Sequence, residues 1–483
     1  MNNLEMNPWQ SFNEEYKHNG SHLLALTAFK NRTLLSHWLR PDGQIDQGLL
    51  QIESDEFPSL TPVLPEVAWD EREIYDLFGY YPQGHLDLRP LVRTPRWPRE
   101  FVPLASDSPE SSWNAEGPDN PSIRVQGDGI TMMGVGPVHA GIIESGRFLF
   151  SLMGENVLHV DLHLFQTHRG VESLLEHTSL PHAAIVLSRV CGADSVSHQT
   201  NWAMAVEQIA GFAMNESLAW RRIMLLESER VLSHLNDLAQ IPAGVGFQVA
   251  HQHGLALKEI WQQGMKEVFG HRLLFDTVRP GYAKQGDVPT VLALINTIQR
   301  SWTRWRQMVE NHHGFQDRMH RVGTVAADDV VRLGGVGVVA RASGVRFDAR
   351  SLMPLYRGLS MTIPTYSSGD VSARFRMRLE EVEQSWKIIR QAATHLAAMI
   401  SSREPLWTIP PDLSGDAVTF SESPHGLNCH VVRLEAGHIR RYHIRSGAFR
   451  NWPLLARAVT GNGIADFPLI NKSFELCYSC NDR

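Results

Sequence analysis

Apolar and polar residues alternate over His22-Leu-Leu-Ala-Leu-Thr-Ala28 and again over Arg32-Thr-Leu-Leu-Ser-His-Trp-Leu39, and Pro41-Asp-Gly43 follows as a turn signal. A period of two bounded by turn residues predicts strands, so residues 20–52 read as part of a small α+β unit. Glu71 to Phe78 has the length of a short helix that Gly79 stops, and its charges read as a solvated helix face. Residues 93–128 are rich in Pro, Ser, Asp, Asn and Gly without apolar periodicity, which places a connection there and a boundary near residue 120. Beyond it, glycines around an alternating run from Gly134 to Phe165 predict a β-meander with His139 and Glu144 on its loop. From about residue 166 the apolar spacing becomes helical, over 203–214, 217–238, 253–269, 289–311 and 371–400, and predicts a bundle of long helices. Residues 405–460 turn strand-like again, with Ser423-Pro-His425-Gly426 as a turn and Gly437 to Ile444 as an exposed alternating strand. The fold class expected is α+β: a small N-terminal α/β domain (1–120), then a mainly helical domain (121–483) with short sheets near its entrance and C-terminus.

The chain has 483 residues, too many for one ordinary core, and its formal charge of −7 argues against a nucleic-acid partner. The N-terminal stretch lacks the basic patch and apolar run of a signal peptide, and no window offers the ~18 apolar residues of a spanning helix. Work at a membrane would therefore run through a partner. Four cysteines in so long a chain fit a reducing compartment with metal or redox use.

Two of them, Cys477 and Cys480, stand three residues apart, a spacing that lets two thiolates converge on one ion. A third, Cys191, lies in Arg189-Val-Cys-Gly-Ala-Asp194, where the position three residues on is a carboxylate and another candidate ligand. A buried metal held by both half-sites would bolt the first and last parts of the helical domain together, with the three sulfurs within a few Å of one point. His198, one helical turn beyond Asp194, is placed to hydrogen-bond a ligand. Cys429 reads as an inert half-buried thiol. Glu207, Glu227 and Arg230 sit in helices at spacings that suit ion pairs between helices.

Read together, these pieces resemble a known family. Gly136-Pro-Val-His139 to Gly146, His168-Arg-Gly-Val-Glu172, Arg189-Val-Cys-Gly192, Ala205-Val-Glu207, Glu227-Ser-Glu-Arg230, Ser233-His-Leu235, Arg341-Ala-Ser-Gly344 and Asp466 to Arg483 resemble the large subunit of membrane-bound nickel-iron hydrogenases of the formate hydrogenlyase type. Residues 71–79 and 84–89 are similar to the small module fused ahead of it, and both modules resemble the quinone-side subunits of respiratory complex I. The resemblance implies a nickel-iron centre with Cys191 and Cys477 as terminal ligands, Cys480 as a bridge and Asp194 in place of the other bridging cysteine. It implies an iron-sulfur small subunit with its own cluster, membrane subunits that translocate protons or other ions, and a cytoplasmic position on the inner face of the membrane. It also implies a chain that ends where a processed subunit of that family ends, and His168 and Arg169 as braces toward a partner.

Three departures accompany it. Asp194 is a harder donor than sulfur. His425 stands where the family has an arginine and lacks that permanent charge. Glu475-Leu476 replaces Asp-Pro, which leaves the approach to Cys477 less rigid. Glu144 matches the family's proton-shuttling glutamate, with Arg147 where a histidine is usual. Catalytic candidates are thus Glu144 and His425, and metal candidates Cys191, Asp194, Cys477 and Cys480. Two alternatives stay open: a complex I-like coupling or quinone-interacting subunit, tied to NAD-linked electron transfer and lacking the complete centre, and a structural zinc on the same four residues.

Overall fold

The computed structural model describes residues 6–98, 100–105, 120–139, 143–399 and 407–483. Part of the connection expected over 93–128 lies outside these residues, at 99 and 106–119, and the proposed boundary near 120 falls at the edge of that gap.

Helix α1 (Pro8–His18) opens with a capping box between Asn7 and Gln10 and packs beside the antiparallel sheet β1 (His22–Ala28), β2 (Thr33–Leu39) and β3 (Ile45–Gln51). Helix α2 (Ala68–Phe78) ends at Gly79, whose φ of 76° only glycine adopts without penalty. Its charges, expected in solvent, are buried instead. Glu71 accepts from Ser59 Oγ, Leu60 N and Thr61 Oγ1 at 2.6–2.7 Å. Asp76 accepts three backbone N–H groups from Leu91, Val92 and Arg93, and Arg72 donates to the carbonyls of Arg89 and Pro90. These groups do for two loops what secondary structure does elsewhere, pairing backbone that would otherwise be buried unsatisfied.

The meander is present as β4 (Ile130–Val135), β5 (Arg147–Met153) and β6 (Asn156–His163), though part of its loop, 140–142, is outside the described residues. The bundle follows: α3 (Ser195–Ile209), α4 (Glu216–Ala243), α5 (Gln248–Phe269), α6 (Val288–Glu310) and α7 (Val371–Ala398). The interhelical ion pairing expected of Glu207 and Arg230 is there, through Arg222 and Glu381, whereas Glu227 pairs with Arg350 of the short turn Ala349–Ser351. The antiparallel sheet β7 (Gly415–Ser423), β8 (Gly426–Glu435) and β9 (His438–Arg445) packs on α3. The strand expected to be exposed, β9, is buried over its last five residues because the helix Val171–Glu176 and strand β1 of the N-terminal module both pack against it. Helices α8 (Gly447–Val459) and α9 (Phe467–Phe474) lead to the C-terminal segment.

One continuous apolar core includes residues of both modules. Buried polar contacts reinforce the junction: Arg445 with Asp70 at 2.7 Å, Arg483 with Glu73 at 2.9 Å, and Arg450 donating to the Leu23 carbonyl at 2.7 Å. No helix among the described residues is long and apolar enough to cross a membrane.

Candidate metal centre

Cys191 lies on the turn that enters α3, and Asp194 occupies the N-cap position of that helix. An aspartate there ordinarily caps the first free N–H groups with its own side chain. Here the buried Glu229 of α4 reaches across to accept from Val196 N and Ser197 N, so the Asp194 carboxylate is released from capping and faces the interior. At the other end, α9 closes at Glu475 in the left-handed region (φ 46°), with its N–H on the Asn471 carbonyl, and the chain turns so that Cys477 and Cys480 face Cys191. A non-glycine residue in that conformation costs roughly 1–2 kcal/mol. The chain reaches Cys477 through this turn and the buried Leu476.

The sulfurs of Cys191, Cys477 and Cys480 all lie within 4.8 Å of one another. Cys480 Sγ is 3.1 Å from Cys191 Sγ and none of the three forms a disulfide. Hydrogen bonds from the Cys191 and Cys480 thiols hold Cys477 well below the ordinary thiol range, with the nearby His425 charge adding to them. Three converging thiols, one of them predisposed to ionise, form a soft donor set that fits a transition-metal ion.

Asp194 stands at the edge of this group. Its Oδ2 is 3.7 Å from Cys480 Sγ, but both its oxygens accept from His425 Nδ1, at 2.9 and 3.1 Å. Burial alone would lower the pKa of His425; the Asp194 carboxylate outweighs it and lifts the pKa to about 10. The histidine, which lacks a permanent charge, is thus held in its charged form by the Asp194 carboxylate. It sits in the β7–β8 turn just before Gly426, whose φ is 114° and where an added Cβ would meet Val336 and the Gly337 backbone at under 3 Å. His425 Nε2 has no hydrogen-bond partner among the described residues.

Cys477 and His425 line a cavity of about 740 Å³ whose wall also carries Glu144, Asp237, Lys258 and Glu475. Glu144 is exposed and accepts from Ser479 Oγ, next to Cys480 in sequence but not in contact with a sulfur. Glu475 is pushed up to about 7 by burial and by Asp237. Behind the sulfurs, His198 Nε2 is 3.8 Å from Cys480 Sγ, the position expected of it from sequence.

Other expectations change in detail. Arg169 joins the two half-sites to each other, donating to the carbonyls of Val190 (2.6 Å) and Ser479 (2.7 Å), each one residue from a cysteine of the triad. Cys429 is fully buried, and burial pushes its thiol to about 12. Glu229 and the His430–Tyr442 pair behind His198 were not legible as site residues. The strand-like reading of 405–460 covered His430 and Tyr442, but it took β9 to be exposed.

Residues 245–414 match the family model of the respiratory-chain NADH dehydrogenase 49 kDa subunit, and residues 17–113 that of the 30 kDa subunit. The chain is 30% identical over 445 residues to formate hydrogenlyase subunit 5 of Escherichia coli, covering 89% of this chain and 77% of that protein. It is 29% identical to hydrogenase-4 component G of the same organism (97% and 85% covered). It is 28% identical to the mitochondrial NADH-ubiquinone oxidoreductase 49 kDa subunit of Neurospora crassa (72% and 79% covered). Among solved structures, a chain of the archaeal membrane-bound sulfane sulfur reductase superposes with a TM-score of 0.68 at 23% identity, over 73% of this chain and 98% of that one, a likeness of fold.

Proposed function

Given that the chain belongs to the family of fused large subunits of formate hydrogenlyase-type hydrogenases, with its relatives among the 30 and 49 kDa subunits of respiratory NADH dehydrogenase, we propose that Cys191, Cys477 and Cys480 hold the metal centre of a hydrogenase-type redox complex. The chain is an oxidoreductase subunit by family; the metal, its ligands and the partners are the proposal. The observation that carries it is the convergence of three thiols, 286 or more residues apart across the two half-sites, at the wall of a cavity.

The donor set favours a reactive centre over a structural zinc. Structural zinc sites are closed by four protein ligands, whereas centres that do chemistry keep one position open. Here the fourth candidate, Asp194, is engaged by His425, and the side next to Cys477 opens on the cavity. Three thiolates suit nickel and iron, and such a centre supplies heterolytic cleavage or formation of dihydrogen. The chain's own residues would do the rest. His425, whose Nδ1 is on both Asp194 oxygens, would supply a positive charge beside a bound ion and engage that carboxylate. Glu144, at the cavity rim, is the group placed to exchange protons with solvent. Electrons would pass to an iron-sulfur subunit, and the complex would sit on a membrane through other subunits, in keeping with relatives that are themselves named as membrane-bound.

A second reading rests on cavity size. A space of 740 Å³ far exceeds what dihydrogen needs. It suits a larger substrate, such as the ubiquinone for which the Neurospora relative is named, or a coupling role. Metal content and hydrogen turnover of the purified complex separate the two. Stoichiometric nickel or iron, lost together with turnover in Cys480→Ser, supports the first reading. Absence of both metals in the intact complex overturns it.

A further inference from the structure

Behind Cys480 runs a chain of side chains, all fully buried, that the proposed chemistry does not use. Tyr442 Oη is 2.7 Å from His430 Nδ1, His430 Nε2 is 2.9 Å from His198 Nδ1, and His198 Nε2 is 3.8 Å from Cys480 Sγ. Their relative exposures are 0% for Tyr442, His430, His198 and Cys480 alike. A neutral imidazole has one N–H and one acceptor nitrogen, so a row of two such rings has two self-consistent directions. In one, every hydrogen points toward Cys480. In the other, every hydrogen points toward Tyr442.

The ends of the row decide between them. Among the described residues, the hydroxyl of Tyr442 has His430 Nδ1 as its hydrogen-bond partner. If it accepted from His430, its own buried hydrogen would lack an acceptor; if it donates, the group is satisfied. Donation leaves the His430 hydrogen on Nε2, which passes it to His198 Nδ1. The hydrogen of His198 is then on Nε2, facing sulfur. At the sulfur end, a proton on Cys480 has acceptors of its own in Cys191 Sγ and Asp194 Oδ2, so Cys480 does not need His198 as an acceptor.

We propose that Tyr442 sets the direction of this hydrogen-bond chain and thereby makes His198 present an N–H to the sulfur of Cys480, so that Tyr442 and His430 are positioning residues for a thiolate ligand. An N–H directed at sulfur stabilises thiolate relative to thiol and draws electron density from it, which tunes any ion that the sulfur binds. The link to a metal rests on the function proposed above; the direction of the chain does not.

Tyr442→Phe tests it, since phenylalanine keeps the ring that packs 5.8 Å from Trp202 and removes only the hydroxyl. Long-range proton–nitrogen correlation spectra of the full chain, labelled with 15N-histidine and assigned with His198→Gln and His430→Gln, report which ring nitrogen carries each hydrogen. The unmodified protein is expected to show both histidines as the Nε2–H form, and Tyr442→Phe to show a mixture. Cobalt(II) provides the second readout: its sulfur-to-metal charge-transfer band shifts in Tyr442→Phe, and its affinity falls about tenfold. An Nδ1–H His198 in the unmodified chain, or tautomers indifferent to Tyr442→Phe, overturns the proposal. Expected tautomers with no cobalt uptake would uphold the chain's direction and count against the metal reading instead.

Discussion

Asp194 and His425 are each a departure from the family's pattern, and in the fold they are one feature. Their side chains meet 231 residues apart in sequence, as a buried ion pair with the imidazole's Nδ1 on both carboxylate oxygens. Removing one member of a buried pair leaves the other charge uncompensated, at a cost of about 3–5 kcal/mol. Asp194→Cys alone is therefore expected to lower the melting temperature, because it removes the hydrogen bonds to His425 and leaves the imidazole buried without its counter-ion, where burial favours the neutral ring. Asp194→Cys with His425→Arg should recover part of that loss, since an added thiolate and a guanidinium can pair again. A single variant as stable as the unmodified chain in thermal unfolding, with the double variant no better, would show that the pair is not coupled. Sequence reading found both positions, because each lies in a local motif. It could not find the pairing, because nothing in either motif specifies what lies across the sheet.

At the scale of elements, α2 carries the sharpest contrast between pattern and structure. Charges at helical spacing look like a solvated face, yet Glu71, Arg72, Glu73 and Asp76 are buried and bonded to backbone 11–18 residues away or to Arg483. Such partners leave no periodic trace. Charge reversal at Glu71 or Arg72 is thus expected to disrupt the module itself before any assembly. Glu71 also gives this element a pH signature. Burial raises its pKa from the ordinary 4.5 to about 7, against the pull of the bonds from Ser59 and Thr61. A carboxyl held more tightly protonated in the folded state contributes stability that is full below about 4.5 and lost as pH rises to about 7. The loss amounts to roughly 3 kcal/mol. Denaturant titrations of Glu71→Gln should show a flatter slope over this window than the unmodified chain. An unchanged slope would mean that Glu71 is not the group responsible. The helices of the bundle, by contrast, were legible from their apolar spacing, as was the meander from its glycines and alternation.

For the molecule as a whole, the N-terminal module, the strand β9 and the C-terminal segment close on one another through Asp70, Glu73, Arg445 and Arg483. The same segment brings Cys477 and Cys480 to Cys191, so module docking and metal-site assembly share a stretch of chain. Arg169 ties the two half-sites directly. That the half-sites meet was readable from two cysteine motifs at opposite ends of one domain. How they are clamped was not, because the clamps are backbone carbonyls, which any sequence supplies. The central claim, a three-thiolate ion open on one side, is tested most directly by X-ray absorption at the metal edge of the purified complex. The account predicts about three sulfur neighbours near 2.3 Å, falling by one in Cys480→Ser. A shell of nitrogen and oxygen alone, or a closed four-ligand zinc shell, would contradict it.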